Sequence, residues 1–271
     1  KSIEKDCLKA MYKYGSILMD EKNEELKEKG IKLIKAAADK GNAKAMFCYS
    51  LILDKNEEID YDEKESMKYL KNAANCGLTE AMYKYALKLG NYGHKVIILT
   101  LDKSTKNESR HFLKEALKKG NVDAAYQYSM IYLKGDGVPK NINKGTKYLQ
   151  YAAFGGNSDA MTQYSDMLLT GQGFPTDKEE AFRLLNLAIE KGNSNAMFLI
   201  GYMYHYGCNV KSDINEALKY YKMAAEKGNV NAMNNYAYLI QSDKPEEAIK
   251  YFKIAIEKEF LPSIHNYAVM L

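Results

Sequence analysis

One spacing constrains this chain more than any other feature: a glycine recurs at nearly constant intervals through most of its length. The intervals between successive glycines of this series are 36, 43, 36, 36 and 36 residues. A fixed period of this size is typical of a stacked array of repeated helical or strand units. The repeats therefore favour one continuous array over separate domains. The glycines that mark position 0 of each unit are Gly41, Gly77, Gly120, Gly156, Gly192 and Gly228.

A first helix, helix A, is predicted directly after each glycine. Alanine, large apolar and small residues recur at positions 4, 5, 8, 9 and 12 of every unit, and these positions share one face of a helix with 3.6 residues per turn. Position 9 is always small, so a neighbouring helix can approach closely there. In the unit that starts at Gly156, the repeated residues are Ala160, Met161, Tyr164, Ser165 and Leu168.

A second helix, helix B, is predicted to follow in each unit. A capping side chain lies fifteen residues before the next glycine at Asp62, Asn141, Asp177 and Asp213, where its oxygen can accept from the first free amides of the helix. A small residue follows four positions later, and an alanine stands four residues before every glycine. The glycine itself ends helix B, because it readily adopts the left-handed conformation of a helix C-terminus.

Together these residues resemble Sel1-like repeats, which are relatives of tetratricopeptide repeats. The resemblance rests on the A-x-x-x-Y-small pattern of helix A, the G-x-G-V-P loop at Gly135–Pro139 and the recurring G-N pair that ends helix B. It implies an all-α, right-handed superhelical α/α solenoid of about seven helix–loop–helix repeats with a period of about 36 residues. Glu259 replaces the glycine in the last unit, and the second unit carries an insertion, which affects local loops rather than the fold.

The predicted domain organisation is a single Sel1-like solenoid over residues 1–271. The chain lacks an initiator methionine and ends inside a helical pattern, so we expect it to be a segment of a longer protein. The approximate A–B units are 6–41, 42–77, 78–120, 121–156, 157–192, 193–228 and 229–259, followed by a final helix at 260–271.

No constellation for catalysis, metal binding or cofactor binding is predicted. The four histidines fall in different repeats or loops, without a His-x-x-x-His pair. The Gly-x-Gly loops lack the strand and the Lys-Ser/Thr that accompany phosphate-binding loops. Nucleic-acid binding is not expected, because the net charge is only +4 and Arg110 and Arg183 are the only arginines. The chain is therefore predicted not to be an enzyme.

A cytoplasmic location and reduced thiols are predicted from the remaining composition. No run approaches the roughly 20 apolar residues of a membrane span, and no signal peptide is visible at the polar start of the chain. The cysteines share no repeat position and form no CxxC motif, so we expect ordinary buried thiols. These residues are Cys7, Cys48, Cys76 and Cys208.

The candidate binding surface is the concave groove lined by helix A in arrays of this kind. If positions 4, 5, 8, 9 and 12 pack inward, positions 3, 6 and 10 point toward the groove, where they form an aromatic and aliphatic ladder edged by polar groups. The alternative is that the aromatic residues pack between neighbouring A helices. Amides at Asn195, Asn231, Asn234 and Asn235 suit an extended peptide backbone, because each both donates and accepts. The candidate groove residues are Lys44, Phe47, Leu51, Tyr83, Leu87, Asp123, Tyr126, Met130, Asn195, Phe198, Tyr202, Asn231, Asn234 and Tyr238.

The leading functional prediction is a non-enzymatic scaffold or adaptor that binds a peptide or protein partner in this groove. The alternative is a structural subunit of a large stable assembly, docking through its flanks and loops, including the 90–107 insertion. The insertion contacts would be Tyr92 and the run Val96, Ile97, Ile98 and Leu99, unless that run folds back on its own repeat. The final helix is apolar and lacks a B partner, so we expect further repeats, another domain or a partner to cover it.

Overall fold

A computed structural model describes residues 2–55, 63–90 and 102–270 of the chain. These ranges contain fifteen α-helices and no strand, which confirms the predicted all-α repeat. Odd-numbered helices are A helices, and even-numbered helices are B helices. The helices are α1 (Ser2–Met19), α2 (Glu24–Asp39), α3 (Ala43–Lys55), α4 (Glu63–Asn75), α5 (Thr79–Gly90), α6 (Lys103–Lys118), α7 (Val122–Lys134), α8 (Ile142–Phe154), α9 (Ser158–Thr170), α10 (Lys178–Glu190), α11 (Ser194–Tyr206), α12 (Ile214–Glu226), α13 (Val230–Ile240), α14 (Pro245–Glu257) and α15 (Leu261–Met270).

The helices belong to two compact units. Unit 1 comprises residues 1–128 and 136–139, and unit 2 comprises residues 129–135 and 140–271. Within each unit, an A helix packs on the B helix that follows it, and that B helix packs on the next A helix. This sequential pairing is how a helical repeat buries an apolar face that one unit cannot bury alone. The continuity of all the repeats in a single solenoid stays a prediction.

Small residues allow the two helices of each pair to approach closely. Position 9 of helix A and the small position of helix B are buried in all seven pairs. In the first pair, a Cβ atom added to Gly30 would lie 2.7 Å from the backbone oxygen of Gly15. In the third pair, the Ser109 hydroxyl donates to the Ala86 carbonyl oxygen at 2.8 Å. The predicted role of the small residues as a helix crossing is therefore confirmed.

Aromatic rings at position 8 of helix A extend the contact on one side of the crossing. Tyr85 meets Phe112 edge-on at 5.0 Å between ring centroids, and Tyr236 meets Tyr251 in the same way at 5.2 Å. The Tyr85 hydroxyl donates to Glu108, one residue before the crossing serine of helix B. Such edge-to-face pairs contribute roughly 0.5–1.5 kcal/mol beyond the burial of their area. These tyrosines are therefore structural residues.

The turn from helix B to the next helix A has one geometry even where the glycine is lost. At Gly41 the backbone is left-handed, with φ +94°, and the Asn42 amide donates back to the Ala37 carbonyl oxygen. Glu259 adopts φ +60° at the equivalent place, and the Phe260 amide donates to the Ala255 carbonyl oxygen. A left-handed residue with a side chain costs about 1–2 kcal/mol. The contacts of the last repeat therefore impose the turn on a residue that does not favour it.

The described residues leave out one predicted cap and the predicted insertion contact, and they show where the thiols lie. The cap at Asp62 and the whole insertion contact, Tyr92 and Val96–Leu99, lie outside the described residues. The prediction of buried thiols is wrong for Cys7, Cys76 and Cys208, which are free and exposed, whereas Cys48 is half-buried and free. Cys7 lies on an exposed part of α1, and Cys76 and Cys208 lie in the turns directly after α4 and α11. Among the described helices, none combines the length and the apolar character that a membrane span requires.

The close approach of Gly15 and Gly30 predicts that a glycine-to-alanine substitution there destabilises the protein. Alanine normally favours a helix over glycine by about 1 kcal/mol, but Gly30→Ala places a methyl group against the Gly15 carbonyl. We expect the free energy of unfolding to fall by about 1–3 kcal/mol, as in other overpacked cores, measured by urea denaturation. Ser165→Ala is the matched control, because Ser165 occupies the crossing position of α9, where a Cβ atom is already accommodated. An equal loss in both variants would contradict the close-approach explanation.

Candidate interaction surface

The A helices of unit 2 are joined at their first turns by capping asparagines. Asn193 accepts the Ala196 amide at 2.9 Å and thereby caps α11. Its side-chain amide also donates to Asp159 on α9 at 2.8 Å. Asn229 repeats the arrangement, capping α13 and donating to the Asn195 carbonyl oxygen at 2.9 Å. Each cap therefore satisfies a helix terminus and fixes the neighbouring A helix beside it.

Position 3 of the A helix is thus a structural acceptor in part of unit 2. The carbonyl oxygen of Asn195 is used by Asn229, although the residue itself remains exposed. Asn231 and Lys44 are exposed at the same position of their own helices, and Asp123 is half-buried. Three of these four position-3 residues are thus exposed, and their role as the polar border of a groove stays a prediction.

Position 6 lies deeper than position 3. The four aromatic residues predicted there are half-buried: Phe47, Tyr83, Tyr126 and Phe198. Asn234 is buried, and its carbonyl oxygen accepts from the Ser263 hydroxyl at 3.1 Å and from the Asn266 amide at 2.9 Å. The Asn234 amide also donates to Asn235 at 3.2 Å. This side chain is therefore occupied in joining α13 to α15, an arrangement that the repeat pattern alone did not reveal.

Position 10 is the most accessible apolar position of the surface. Leu51 and Leu87 are half-buried in unit 1, and Met130 is half-buried in unit 2. Tyr202 and Tyr238 are 40% and 51% exposed, although they are large aromatic residues. We call positions 3, 6 and 10 of the A helices the A-helix surface. In unit 2, position 10 of this surface bears two tyrosines, Tyr202 and Tyr238, whose rings the core does not require.

An aromatic cluster lies at the carboxyl end of α11. The rings of Tyr202 and Tyr206 are 4.5 Å apart at an angle of 44°, and Tyr206 also stacks on His205 at 4.2 Å. Beneath them, Phe198 contacts the buried Tyr221, with ring centroids 5.8 Å apart. The sequence reasoning missed Tyr206, which is 57% exposed. The sequence could have indicated its exposure through position 14, where other repeats carry the polar residues Lys55, Lys134 and Thr170.

The ionisable groups near this cluster are held in their neutral forms. Burial raises the pKa of Tyr221 to about 12, and burial lowers the pKa of His205 below its usual range. The Tyr221 hydroxyl lies 3.4 Å from Nδ1 of His205. At neutral pH the cluster therefore presents aromatic rings and hydroxyl groups without a positive charge on His205.

Metal binding finds no support in the described part of the chain. No group of three or more histidine, cysteine, aspartate or glutamate side chains there is arranged to hold an ion. His111 and His265 are exposed on separate helices, and His94 lies outside the described residues.

Paired helices that repeat at about 36 residues, with buried small residues at each crossing, define a helical-repeat protein. A family model described as the Sel1 repeat matches residues 8–42, 44–78, 122–157, 158–193, 194–229 and 230–260. These segments make up more than half of the sequence, so the chain belongs to the Sel1 repeat family. Proteins of this family typically take part in protein–protein interactions and are generally non-catalytic. No curated protein matches the chain.

Several solved structures share the fold. A Sel1 repeat protein from Oxalobacter formigenes is similar with a TM-score of 0.75 and 18% identity, over 90% of this chain and 96% of that chain. A protective antigen of uropathogenic Escherichia coli strains with an SLR fold has a TM-score of 0.68 and 23% identity over 94% of this chain, which spans 55% of the antigen's length. An immunity protein from Pseudomonas aeruginosa has a TM-score of 0.52 and 17% identity, over 84% of this chain and 81% of that chain. At these identities the likeness shows the fold alone.

The capping bridges can be tested with two matched substitutions. In Asn193→Asp the new carboxylate faces Asp159, whereas in Asn229→Asp it faces the Asn195 amide, which can rotate to donate. Both variants keep the cap. We therefore expect the free energy of unfolding of Asn193→Asp to be lower than that of Asn229→Asp by about 1 kcal/mol, the typical value of one hydrogen bond. Repulsion between the two carboxylates raises their pKa values in the folded variant, so this difference should be complete at neutral pH, shrink as the pH falls through the raised values, and be absent below about pH 4. Urea denaturation at both pH values measures it, and equal stabilities at pH 7 would contradict the bridge.

Proposed function

We propose that this chain is a non-enzymatic protein-interaction scaffold that binds a peptide or protein segment along its A-helix surface. The observation that carries the proposal is the accessibility of position 10. In α13, Tyr238 is 51% exposed, whereas Tyr236, only two residues earlier, is 4% exposed and packs against helix B. The tyrosine at position 8 is thus buried in the fold, whereas the tyrosine at position 10 remains accessible to a ligand. Tyrosine is enriched among residues that dominate binding energies, because it buries a large area at little conformational cost.

The geometry of adjacent A helices suits an extended ligand. In unit 2 the bridges from Asn193 and Asn229 hold α9, α11 and α13 side by side. Residues of the same repeat position on these helices therefore lie in rows. Exposed amides such as Asn231 border the rows, and an amide can pair with both the donors and the acceptors of a peptide backbone. This combination of aromatic rows and polar borders is that of a protein-binding surface.

The second candidate function is a structural subunit that docks through its flanks and loops. A specific observation favours it: the B helix α8 exposes three large apolar residues. Ile142, Tyr151 and Phe154 are each about half exposed, which the packing of α8 does not require. An exposed apolar patch of this kind marks an interaction site. The 90–107 insertion, which includes Tyr92 and Val96–Leu99, remains part of this second proposal.

A cytoplasmic location is part of the proposal. The thiols of Cys7, Cys76 and Cys208 are exposed and free. Exposed thiols persist where glutathione and thioredoxin keep them reduced, whereas oxidising compartments favour disulfides.

The binding proposal is tested by a pair of variants in unit 1. Peptides are first selected against the purified chain from a random display library, without any assumption about their sequence. The double substitution Tyr83→Ala and Tyr126→Ala should weaken binding of the selected peptides at least about tenfold, which corresponds to 1.4 kcal/mol, while largely preserving the free energy of unfolding. Tyr85→Ala is the control, because Tyr85 is buried and its truncation should cost about 3 kcal/mol or more of stability.

Two outcomes would contradict the proposal. If the double variant loses as much stability as Tyr85→Ala, the two tyrosines serve packing between helices instead of binding. If the selected peptides respond to Tyr151→Ala and to no substitution on the A-helix surface, the flank of α8 is the binding site.

A further inference from the structure

Four A helices of unit 2 contain no lysine or arginine, whereas its B helices do. The helices α9, α11, α13 and α15 contain no lysine and no arginine, although the chain as a whole has 39 such residues. Every B helix of the unit carries two, and these are Lys144, Lys147, Lys178, Arg183, Lys219, Lys222, Lys250 and Lys253. Unit 1 differs, since its helices α3 and α5 contain Lys44, Lys84 and Lys88. The four A helices from α9 onward therefore carry no lysine or arginine, whereas the end of α7 that belongs to unit 2 carries Lys134.

Two lysines lie at the amino-terminal border of this surface. The ammonium groups of Lys191 and Lys227 lie against the turn glycines Gly156 and Gly192, at the amino ends of the A helices. Position 10 is further along the helix by about 15 Å, at 1.5 Å per residue. In the loop after α11, the exposed residue Lys211 is the one basic side chain. The row formed by the position-10 residues of these A helices thus lies away from most of the positive charge of the unit.

Asp166 supplies a negative charge to that row. It occupies position 10 of α9, the same position as Tyr202 on α11 and Tyr238 on α13. Among the described residues, no lysine, arginine or histidine forms an ion pair with its carboxylate. Asp166 is exposed, although neighbouring protein atoms raise the pKa of its carboxyl by desolvation. A partly desolvated carboxylate without a partner gains more from an incoming cation than a fully hydrated one does.

Tyr202 and Tyr238 of this row, together with Tyr206 one turn further along α11 at position 14, also favour a cation. The rings of Tyr202 and Tyr206 are exposed and lie 4.5 Å apart, and Tyr238 is exposed on the adjacent A helix. A lysine or arginine side chain is attracted to the face of a tyrosine within about 6 Å of its centroid. The apolar stem of such a side chain can at the same time cover the aromatic ring.

We propose that the A-helix surface of unit 2 binds a basic segment of a partner protein, with lysine or arginine side chains placed on Tyr202, Tyr206 and Tyr238 and opposite Asp166. The inference rests on the proposed function, and it adds the chemistry of the ligand. Packed helices are about 8–10 Å apart, so the row from Asp166 to Tyr238 spans roughly 16–20 Å. An extended chain rises about 3.3 Å per residue, and the segment recognised is therefore about six residues long.

Fluorescence anisotropy with three labelled peptides tests the inference on the full chain. The probes are peptides of about six residues in which leucine alternates with lysine, with serine or with glutamate. We expect the lysine peptide to bind at least about tenfold more tightly than the glutamate peptide, with an affinity that falls as salt is added. Asp166→Asn should weaken binding of the lysine peptide about threefold to fivefold, the upper part of the range of an exposed charge pair. Lys211→Glu should strengthen binding of the lysine peptide, because it replaces the basic side chain in the loop after α11 with an acidic one.

Matched controls separate this surface from general charge effects. Glu190→Gln removes one negative charge from the exposed end of the B helix α10, and Tyr151→Ala removes an exposed tyrosine from the B helix α8. Both should leave the affinity of the lysine peptide unchanged within about twofold, whereas Tyr202→Ala with Tyr238→Ala should abolish measurable binding. Circular dichroism verifies that every variant keeps its helix content.

The outcomes distinguish this inference from the broader proposal. Equal affinities for the three peptides, a preference for glutamate, or an equal effect of Glu190→Gln and Asp166→Asn would overturn the inference. If the serine or glutamate peptide binds and Tyr202→Ala with Tyr238→Ala prevents it, the charge assignment fails while the proposed function stands. If the display-selected peptides respond to no substitution on the A-helix surface of either unit, the proposed function fails as well.

Discussion

The close approach of helix A to helix B is the contact on which the rest of this structure depends. Where Gly15 meets Gly30, no side chain separates the two backbones, and in the third pair a serine hydroxyl bonds directly to the facing helix at Ala86. This approach fixes the rotation of each helix about its own axis. Positions 4, 5, 8 and 9 of helix A then face inward. Position 6 lies at the margin of this contact, since Phe198 still meets Tyr221 of helix B, whereas Tyr202 and Tyr238 at position 10 are exposed.

The capping asparagines extend this constraint from one pair of helices to the next. Asn193 and Asn229 each satisfy the first turn of one A helix while donating to the preceding A helix. A residue that caps a helix thus also sets the lateral spacing of the surface. Near the carboxyl end of unit 2, Asn234 performs a similar connection through Ser263 and Asn266. The polar residues of the A helices are therefore divided between holding the array and remaining available to a ligand.

The separation of structural and accessible positions explains how one fold can carry different binding surfaces. The crossings and position-8 rings make similar contacts in both units, whereas the A helices differ in charge: those of unit 1 include Lys44 and Lys88, and α9, α11, α13 and α15 of unit 2 have no basic residue. Substitutions of the exposed residues at position 10 should cost little stability compared with changes at the crossings. We therefore expect the chemistry of the ligand to be encoded at these positions, with the tyrosine row and Asp166 as the most distinctive set.

The sequence by itself determined the helical repeat, the helix pairs, the small residues at each crossing and most caps, because these depend on local periodicity and on contacts between residues close in the chain. Its assignment of positions 3, 6 and 10 to a binding surface stays a prediction. Only the tertiary structure decided how accessible each of those side chains is. Asn234 is buried because its partners lie 29 and 32 residues further along, Tyr206 is exposed where the helix α11 ends, and three cysteines expected inside lie on the surface. Periodicity gives the direction of a side chain, whereas its exposure depends on the neighbouring helices that pack beside it.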